Sequence, residues 1–541
     1  MVRGIANSKI GFGDLILLLR YFFKLKVSTH PNDKSTFQCH IDENEYENLF
    51  ILSSELGLES AGTIVWDKKN PMLGRKGVAT QHEYILCRSN SEKSIMIRNP
   101  NVKIILDYAH ELVEKNKGKV DDKVRKAFSS WVSKQANFSG GDKAYKLLED
   151  DGRVFRGVAM GAPELREDPK YHIPLVHPIT LKNCPVPPNG WSRSPDTLAE
   201  LHLNNQILWG VDETTQPQKK VYLTYETKKQ LSTIIQDATS GKKSLDPLGL
   251  KFPYAHPISM YNVLHSMTPE NNIVLDYFAG SGTTAHSIID LYREYAEQRK
   301  YILVEQGGYF ESLIKPRIQK VVYSADWKDG KPTNPESGIS HCLKVVKLES
   351  YEDTLNNLEL VRKGAQQTLL AEQQASTKPE DQNAYSDYLM HYMLELESKD
   401  SLLNVKDFLK PFSYQMNITT DSAGAFERKN IDLVETFNYL IGLNVQEVDY
   451  QLDKGYAQIT GKLRTGEYTT VLWRDCDKIG YAELDQLLSK LKINPNDGEY
   501  QLIYINGDHN VASKYTTKEG EEKQLKVRSI EQTFLKNMFG E

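Results

Sequence analysis

The sequence feature that most constrains the fold is a short apolar strand that runs directly into glycines and then into a helical pattern. The letters NNIVLD end at Asp276, and the helical letters TTAHSIIDLYREYAE begin at Thr283. Between them, Gly280 and Gly282 permit positive φ and a close approach of a ligand to bare backbone, with the free N–H groups of the helix start behind them. A fully apolar strand of this kind is typical of a parallel sheet in an α/β protein.

The next strand supports a nucleoside ligand. KYILVEQ ends near Glu305, 29 positions after Asp276, and an acidic residue at the end of the second strand is where nucleotide-binding βαβ units hold a ribose hydroxyl. Phe278 is placed to cover the flat face of an adenine. Taken singly, the glycines also suit a tight turn and Glu305 a solvated carboxylate, so the prediction depends on the combination. The spacing is not GxGxxG, which disfavours a dinucleotide.

The composition indicates a soluble, cytoplasmic protein and says little more about function. The 541 residues carry a net charge of −5, so a nucleic-acid site would have to be a local basic surface. Five scattered cysteines without a CxxC pair predict reduced thiols and no metal site. The apolar N-terminal run is interrupted by Arg20, Lys24 and Lys26, so it predicts a buried or half-buried helix and neither a secretory signal nor a membrane span.

The sequence pattern changes several times along the chain. Segments that alternate between strand and helix patterns are separated by strands and loops rich in Pro, Gly and His. We predict a mixed α/β protein with a doubly wound sheet, an inserted recognition domain and a C-terminal α/β domain. The predicted boundaries are an atypical N-terminal helix at 1–35, the first part of the core at 36–90, the recognition domain at 91–250, the cofactor part of the core at 251–345, a helical connector and linker at 346–400, and the C-terminal domain at 401–541.

Many segments, in order, resemble one family. DYFAGSGTT, with FPYAHPISMYNVL before it and ILVEQGGYFESLIKPRI after it, resembles the cofactor-binding half of S-adenosylmethionine-dependent DNA amino-methyltransferases. GTIVWDKKN, QHEYILCRS, GRVFRGVAMGAPE, CPVPPNGW and LIYINGDHN extend the resemblance to the modification subunits of type III restriction–modification systems, over about residues 36–541. The order of the segments is that of the permuted class. The resemblance implies a Rossmann-like methyltransferase sheet, methyl transfer to an adenine or, less often, a cytosine amino group in double-stranded DNA, a homodimer, and a helicase-nuclease restriction subunit as partner.

The resemblance also implies site residues. Within 91–250, each arginine or lysine taken alone fits an ordinary surface cation better than a DNA contact. His172, His177 and Trp191 fit packing better than ligand binding. Asp508 and His509 on a turn fit a structural role. The cofactor-binding candidates are Asp276, Phe278, Gly280, Gly282, Thr283, Glu305, His256 and Pro257, and the DNA-binding candidates are Arg153, Arg156, Arg193, Lys219 and Lys220.

One motif of the family is missing. The Asp-Pro-Pro-aromatic tetrapeptide that orients the target amine should precede the strand TFQCHID, yet none of the 541 residues forms it or a near variant. We therefore predict no catalytic residue. Three explanations stay open: a truncated or frame-shifted product, one piece of a split enzyme, or a non-catalytic DNA- and cofactor-binding specificity subunit. A small-molecule nucleotide enzyme is a remoter alternative, since it leaves residues 91–250 without a role.

Overall fold

A computed structural model describes residues 36–71, 77–89, 94–349, 353, 357, 405–419, 425–493, 499–511, 514–516, 522–524 and 526–539. The chain divides into two compact units, of which the first ends at Cys342 and the second begins at Leu343. The predicted helix at 1–35 lies outside the described residues, as does nearly all of the predicted connector at 346–400. Mixed α/β architecture is confirmed in both units.

The first unit contains short strands and medium helices in alternating groups. In chain order they are β1 (Thr36–Ile41), α1 (Tyr46–Glu55), β2 (Ser60–Asp67), β3 (His82–Ser89), β4 (Met96–Arg98), α2 (Asn101–Lys115), α3 (Asp122–Lys134), α4 (Gly140–Lys143), β5 (Leu147–Leu148), β6 (Val154–Ala159), α5 (Pro195–Leu203), β7 (Ile207–Leu208), β8 (Gln218–Tyr222), β9 (Lys228–Gln230), β10 (Ile234–Gln236), α6 (Ile258–His265), β11 (Ile273–Asp276), α7 (Thr283–Tyr295), β12 (Lys300–Leu303), α8 (Lys315–Tyr323), β13 (Trp327–Lys328) and β14 (Lys331–Pro332).

A four-stranded sheet of order β1-β3-β2-β10 carries helices on both faces. β3 runs antiparallel to β1 and β2, and β10 runs parallel to β2. Leu86 packs with Leu49 and Leu52 of α1, whereas its neighbour Ile85 packs with Met260 and other residues of α6. Because successive strand residues point to opposite faces, α1 and α6 cover the two sides of this sheet.

β11 and β12 form a separate parallel pair joined by α7. The single doubly wound sheet expected from residues 36–90 and 251–345 is therefore not hydrogen-bonded as one sheet among the described residues, and it stays a prediction. The burial of β11 also differs from expectation. Ile273 and Leu275 are exposed while Asp276 is buried, so the strand alternates and is not covered on both faces.

The predicted recognition region has its own core and also contributes to the main sheet. Helices α2 and α3 pack on β5 and β6 around Ile105 and Phe128, and β5-β6-β8-β7 form a second four-stranded sheet. β4 pairs with β9. β10 lies within the predicted boundaries 91–250 yet pairs with β2, so the segment returns to the core sheet before residue 250.

The second unit contains β15 (Gln415–Thr419), β16 (Phe426–Asn430), α9 (Leu433–Ile441), β17 (Asn444–Gln451), β18 (Tyr456–Lys462), β19 (Tyr468–Arg474), α10 (Tyr481–Lys490), β20 (Leu502–Ile505), β21 (Lys514–Thr516), β22 (Glu522–Gln524), β23 (Lys526–Ser529) and α11 (Ile530–Phe539). It is built on a five-stranded sheet of order β17-β18-β19-β20-β23. Trp473 faces the helices α9 and α11, and its neighbour Leu472 faces α10, so this sheet too is covered on both sides.

Two further sequence expectations can be compared with the structure. All five cysteines lie in described parts of the chain, and none is bonded to another. Within the described ranges, no helix has the length and apolar character that crossing a membrane requires.

Candidate functional site

The loop between β11 and α7 is held in a conformation that requires glycine. Gly280 and Gly282 have φ of +54° and +76°, in the left-handed region. Gly282 is the residue that precedes the first turn of α7, and a Cβ there would lie 3.3 Å from Cγ2 of Ile314. The loop therefore brings bare backbone and the amino end of α7 to one place, as its sequence predicts.

Asp276 connects the end of β11 to both the loop and the helix. Its Oδ1 accepts a hydrogen bond from the backbone N–H of Phe278 at 3.1 Å, and its Oδ2 accepts one from the Thr284 hydroxyl at 2.6 Å. Burial raises the pKa of this carboxyl group. Through these two hydrogen bonds, Asp276 helps to fix the conformation of the loop.

Glu305 lies just after β12 and faces the same loop. Its Oε2 accepts a hydrogen bond from the backbone N–H of Gly280 at 2.7 Å, and its Oε1 accepts one from Gly307 at 2.7 Å. A Cβ on Gly307 would stand 2.4 Å from the ring of Tyr309, so a larger residue there would require that ring to move. The ends of the two parallel strands are therefore joined through one carboxylate.

Aromatic rings border Glu305. Burial raises the pKa of Tyr309 to about 12, and the adjacent carboxylate of Glu305 adds to the shift. The ring of Phe252 meets that of Tyr309 edge to face, with centroids 5.2 Å apart. Phe278 is half-buried and packs against the cluster of Ile41 and other residues under α1, so in this structure its ring contributes to packing.

A buried arginine under the loop was missed by the sequence analysis. Arg317, on α8, is fully buried. Its guanidinium donates to the carbonyl oxygen of Ser281 at 2.9 Å, to the Thr283 hydroxyl at 3.2 Å and to the Ser244 hydroxyl at 3.1 Å. Burial lowers its pKa to about 10. A cation three residues after the buried Ile314 and four before the buried Val321 lies on the apolar stripe of α8, and that pattern is the signal that could have revealed it.

The same guanidinium reaches the first turns of α7. Nε of Arg317 donates to Nδ1 of His286 at 3.2 Å, and Nε2 of His286 lies 3.6 Å from Oδ1 of Asp290. Burial lowers the pKa of His286 well below 6.5 and raises that of Asp290 to about 6. Burial therefore shifts His286 and Asp290 towards their neutral forms, because a charged group is costly to bury.

His256 and Pro257 lie beside the four-stranded sheet. The Nδ1 of His256 lies 3.1 Å from the hydroxyl of Tyr261, and its ring stacks on that of His40 at 5.1 Å. The Trp66 ring meets it edge to face at 5.4 Å. Pro257 immediately precedes α6. The structure thus joins six of the eight predicted cofactor residues around the loop and places His256 and Pro257 in a neighbouring aromatic cluster.

Three of the five predicted DNA-binding residues lie on β6 and β8 and are divided between the two faces of that sheet. In the register of β6 with β8, Arg156 and Lys219 point to one face and Lys220 to the other. Lys220 is buried, and its ammonium pairs with Glu149. Arg153 is exposed, pairs with Asp151 at 2.7 Å and lies over the Tyr222 ring. Arg193 is exposed in the segment before α5.

The residues for which the sequence favoured packing over ligand binding do lie in packed positions. Trp191 is fully buried, with its indole N–H donating to the carbonyl of Ile173 at 2.8 Å. His177 is buried and accepts backbone N–H groups of its own turn. His172 bonds the carbonyl oxygen of Arg166 at 2.7 Å. Across the described stretches, no three His, Cys, Asp or Glu side chains are grouped so that they could hold a metal ion.

The loop fits a nucleoside with a charged tail. Gly280, Gly282 and Gly307 form a cradle where side chains would clash or strain; Gly280 and Gly307 are half-buried and Gly282 is buried. The amino end of α7 favours a carboxylate. Glu305 can accept hydrogen bonds from two ribose hydroxyls, and Phe252 with Tyr309 provides an aromatic wall. S-adenosylmethionine has each of these parts.

Comparison with known proteins gives a family match. Residues 26–315 match a family described as DNA methylase, which is 290 of the 541 residues. The matched range contains the loop, Glu305 and the start of α8.

Three relatives are similar in sequence. The type III restriction-modification enzyme EcoP15I Mod subunit of Escherichia coli is 28% identical over 291 residues, covering 50% of this chain and 43% of that protein. The StyLTI Mod subunit of Salmonella typhimurium is 24% identical over 345 residues, covering 59% and 47%. The type II methyltransferase M.KpnI of Klebsiella pneumoniae is 24% identical over 323 residues, covering 57% and 69%. The chain thus spans less than half the length of the two Mod subunits.

One solved structure also aligns. The crystal structure of an M1.HpyAVI–SAM complex matches at 13% identity with a TM-score of 0.25, covering 56% of this chain and 82% of that one. A similarity at this level carries no weight for the fold.

Proposed function

The chain belongs to the DNA methylase family, whose members use S-adenosylmethionine, and from this premise we propose that it is a modification subunit of a type III-like restriction–modification system. Its reaction is transfer of a methyl group from S-adenosylmethionine to the amino nitrogen of adenine in double-stranded DNA, in the cytoplasm. Two of the three relatives carry the Mod subunit name, which favours type III over other systems.

The observation that carries the proposal is the joint between the two strand ends. Glu305 accepts hydrogen bonds from Gly280 and Gly307, so the acidic residue and the glycine cradle are already assembled. S-adenosylmethionine would be held by Glu305 at its ribose, by the loop 276–282 and the amino end of α7 at its methionine portion, and by Phe252 and Tyr309 at its base. His256 and Pro257 would form a more distant wall.

In the proposed reaction, the amino nitrogen forms a bond to the methyl carbon as the carbon–sulfur bond breaks. The nitrogen gives up a proton, and S-adenosylhomocysteine leaves. The adenine must leave the duplex stack first, at a cost of roughly a few kcal/mol. Binding both partners in line supplies most of the rate advantage. No residue of this chain is assigned to orient the amine, because its sequence contains no Asp-Pro-Pro-aromatic tetrapeptide.

That missing tetrapeptide favours a second candidate function. In it, the chain binds DNA and S-adenosylmethionine as a specificity subunit, and the chemistry is provided by another polypeptide or is not performed. Both candidates share the same partners: double-stranded DNA, a second copy of the chain, and a helicase-nuclease restriction subunit. The recognition sheet β5-β6-β8-β7, with Arg156 and Lys219 on one face, is the surface we propose for DNA.

A methyl-transfer assay separates the two candidates. The full chain is incubated with tritiated S-adenosylmethionine and mixed-sequence DNA, with and without a restriction subunit, and label on the DNA is counted. The enzyme proposal predicts adenine-linked label that is lost in Glu305→Ala. Cofactor binding with no label on DNA under every condition would contradict it and favour the specificity subunit.

A further inference from the structure

Five exposed lysines lie on two segments of the cofactor half. One segment, 241–251, leads into Phe252, and the other is the hairpin of β13 and β14. We name these five side chains the lysine surface: Lys242, Lys243, Lys251, Lys328 and Lys331. Residues 241–251 and 327–332 together hold five lysines and two aspartates, a net charge of +3 in a chain whose net charge is −5. The lysine surface is therefore a local basic region on an acidic protein.

Buried contacts hold the segment 241–251 in place. Its leucines, Leu245, Leu248 and Leu250, are buried. A Cβ on Gly241 would lie 1.9 Å from the carbonyl oxygen of Ala255, so the two backbones are in direct contact there. The exposed lysines of this segment are therefore carried on a backbone that packing fixes.

The hairpin is joined to the same segment. The backbone N–H of Gly330 donates to the carbonyl oxygen of Pro247 at 2.9 Å. The ammonium group of Lys320, on α8, donates to the carbonyl oxygen of Leu248 at 2.5 Å. A Cβ on Gly249 would lie 3.2 Å from Cα of Gly330. The two lysine-bearing segments therefore belong to one continuous surface.

The lysines are arranged at a cost to the free protein. Lys328 and Lys331 stand directly opposite each other in the antiparallel register of the hairpin, and like charges in opposed positions destabilise a strand pair. Among the residues that the structure describes, neither ammonium group has an ion-pair or hydrogen-bond partner, and the same holds for Lys242, Lys243 and Lys251. Cations held together without ion pairs are suited to an external polyanion.

The lysine surface adjoins the candidate cofactor site through the chain itself. Lys243 precedes Ser244, whose hydroxyl accepts a hydrogen bond from Arg317, the residue beneath the cofactor loop. Lys251 precedes Phe252, whose ring forms part of the aromatic wall of the proposed cofactor pocket. An anion bound by these lysines is therefore held beside that pocket.

We propose that the lysine surface binds the phosphate backbone of double-stranded DNA beside the cofactor pocket, as a second DNA contact in addition to the recognition sheet. Double-stranded DNA carries one negative charge per about 1.7 Å of its axis, so several lysines meet several phosphates at once. Phosphate contacts fix the register of a duplex and carry no base sequence. The lysine surface thus holds the duplex next to the methyl donor while other residues read the sequence. This inference rests on the proposed function, in which DNA is the substrate.

The salt dependence of DNA binding tests the proposal in the full chain. The double variants Lys242→Gln/Lys243→Gln and Lys328→Gln/Lys331→Gln each remove two charges and keep polar side chains. Fluorescence anisotropy with a mixed-sequence duplex at several salt concentrations gives the slope of log affinity against log salt. We expect each double variant to reduce the slope by about 2, because each lost phosphate contact contributes about 0.9.

A matched control and two further measurements separate the outcomes. Lys462→Gln/Lys490→Gln, at exposed positions of the second unit, should leave the slope unchanged. S-adenosylmethionine binding and the urea unfolding midpoint should stay as in wild type in every double variant. A wild type that binds DNA, with an unchanged slope in either lysine-surface variant or with a lowered unfolding midpoint, overturns this inference alone. A wild type that does not bind duplex DNA overturns the proposed function as well.

Lysine acetylation of the unaltered protein gives an independent measurement. The full chain is treated with an acetylating reagent with and without duplex DNA, and mass spectrometry gives the extent of reaction at each lysine. DNA should slow the acetylation of Lys251 and Lys328 and leave Lys490 unaffected, because a bound phosphate covers the ammonium group. Equal acetylation of Lys251 and Lys328 with and without bound DNA would contradict the proposal.

Discussion

The carboxylate of Glu305 accepts a hydrogen bond from the backbone N–H of Gly280, 25 residues earlier, at 2.7 Å. The pair joins the end of β12 to the loop after β11. An ionised carboxylate has about four acceptor positions, so Glu305 can hold the loop and still accept from a ribose. The loop is thus held in a binding conformation by the group that would hold the ligand. Preorganisation of this kind reduces the ordering cost of binding.

Gly282→Ala should weaken cofactor binding through the backbone. A non-glycine residue in the left-handed region costs about 1–2 kcal/mol, and at Gly282 the new Cβ also lies 3.3 Å from Cγ2 of Ile314. Gly118→Ala is the matched control, because its φ of +77° is the same and no atom lies within 4 Å of a Cβ there. Urea unfolding should show a lower free energy of unfolding in both variants. Calorimetry should show weaker S-adenosylmethionine binding only in Gly282→Ala. Unchanged binding in Gly282→Ala would count against the loop.

Arg317→Met should destabilise the first unit. The substitution leaves buried acceptors on Ser281, Thr283 and Ser244 without their donor, and each unsatisfied buried group costs about 1–3 kcal/mol. We expect the free energy of unfolding to fall by about 3 kcal/mol or more, with Arg317→Lys intermediate. Arg193→Met at an exposed position should change it by less than about 0.5 kcal/mol. Equal effects of Arg317→Met and Arg193→Met in denaturant titrations would refute the assigned role.

Asp290 should give the first unit a distinctive pH dependence. Burial raises its pKa from 3.8 to about 6, so between these values the folded state holds a proton that the unfolded state releases. Its contribution to stability is therefore greatest in acid and is lost as pH rises through about 6. The free energy of unfolding of wild type minus that of Asp290→Asn should fall by about 2 kcal/mol between pH 4 and pH 7.

The buried histidine beside Asp290 acts in the opposite direction. Burial lowers the pKa of His286 well below 6.5, so its contribution is lost as pH falls. Because His286 is present in both proteins, its contribution largely cancels in the difference. A difference that stays constant from pH 4 to pH 7 would exclude the raised pKa of Asp290.

Two adjacent lysines should differ in DNA binding. Lys219 is partly exposed on the same face as Arg156, whereas Lys220 is buried against Glu149. Lys219→Ala should reduce the slope of log affinity against log salt by about 1, as expected for one lost phosphate contact. Lys220→Met and the exposed Lys490→Ala of the second unit should leave the slope unchanged. Fluorescence anisotropy at several salt concentrations measures it, and an equal loss in Lys219→Ala and Lys220→Met would contradict the assignment of faces.

The cofactor loop could be predicted because its determinants are local. Gly280 and Gly282 adopt the left-handed backbone that their sequence favours, and Asp276 and Glu305 lie at adjacent ends of paired parallel strands. A strand–loop–helix–strand unit brings these residues together by its own geometry. Spacing along the sequence was therefore enough.

Other parts depend on contacts between distant segments. Arg317 meets Ser281 across 36 residues and Ser244 across 73, and no local pattern specifies those partners. Lys220 is buried because it points to one face of its sheet, where it pairs with Glu149. That pairing cannot be deduced from the composition of the chain. Strand pairing also depends on distant segments. The apolar residues of β11 therefore did not predict that one face of the strand would be exposed.

In the proposed function, the chain holds S-adenosylmethionine at the junction of Gly280 and Glu305. Isothermal titration of the full chain with S-adenosylmethionine tests it most directly, with Glu305→Gln as the variant and the exposed Glu336→Gln as control. Loss of hydrogen bonds to a charged group costs about 1.5–3 kcal/mol, so Kd should rise about 10- to 100-fold in Glu305→Gln. Glu336→Gln should bind like the wild type. No binding heat with the wild type, or the same Kd for Glu305→Gln, would contradict the account.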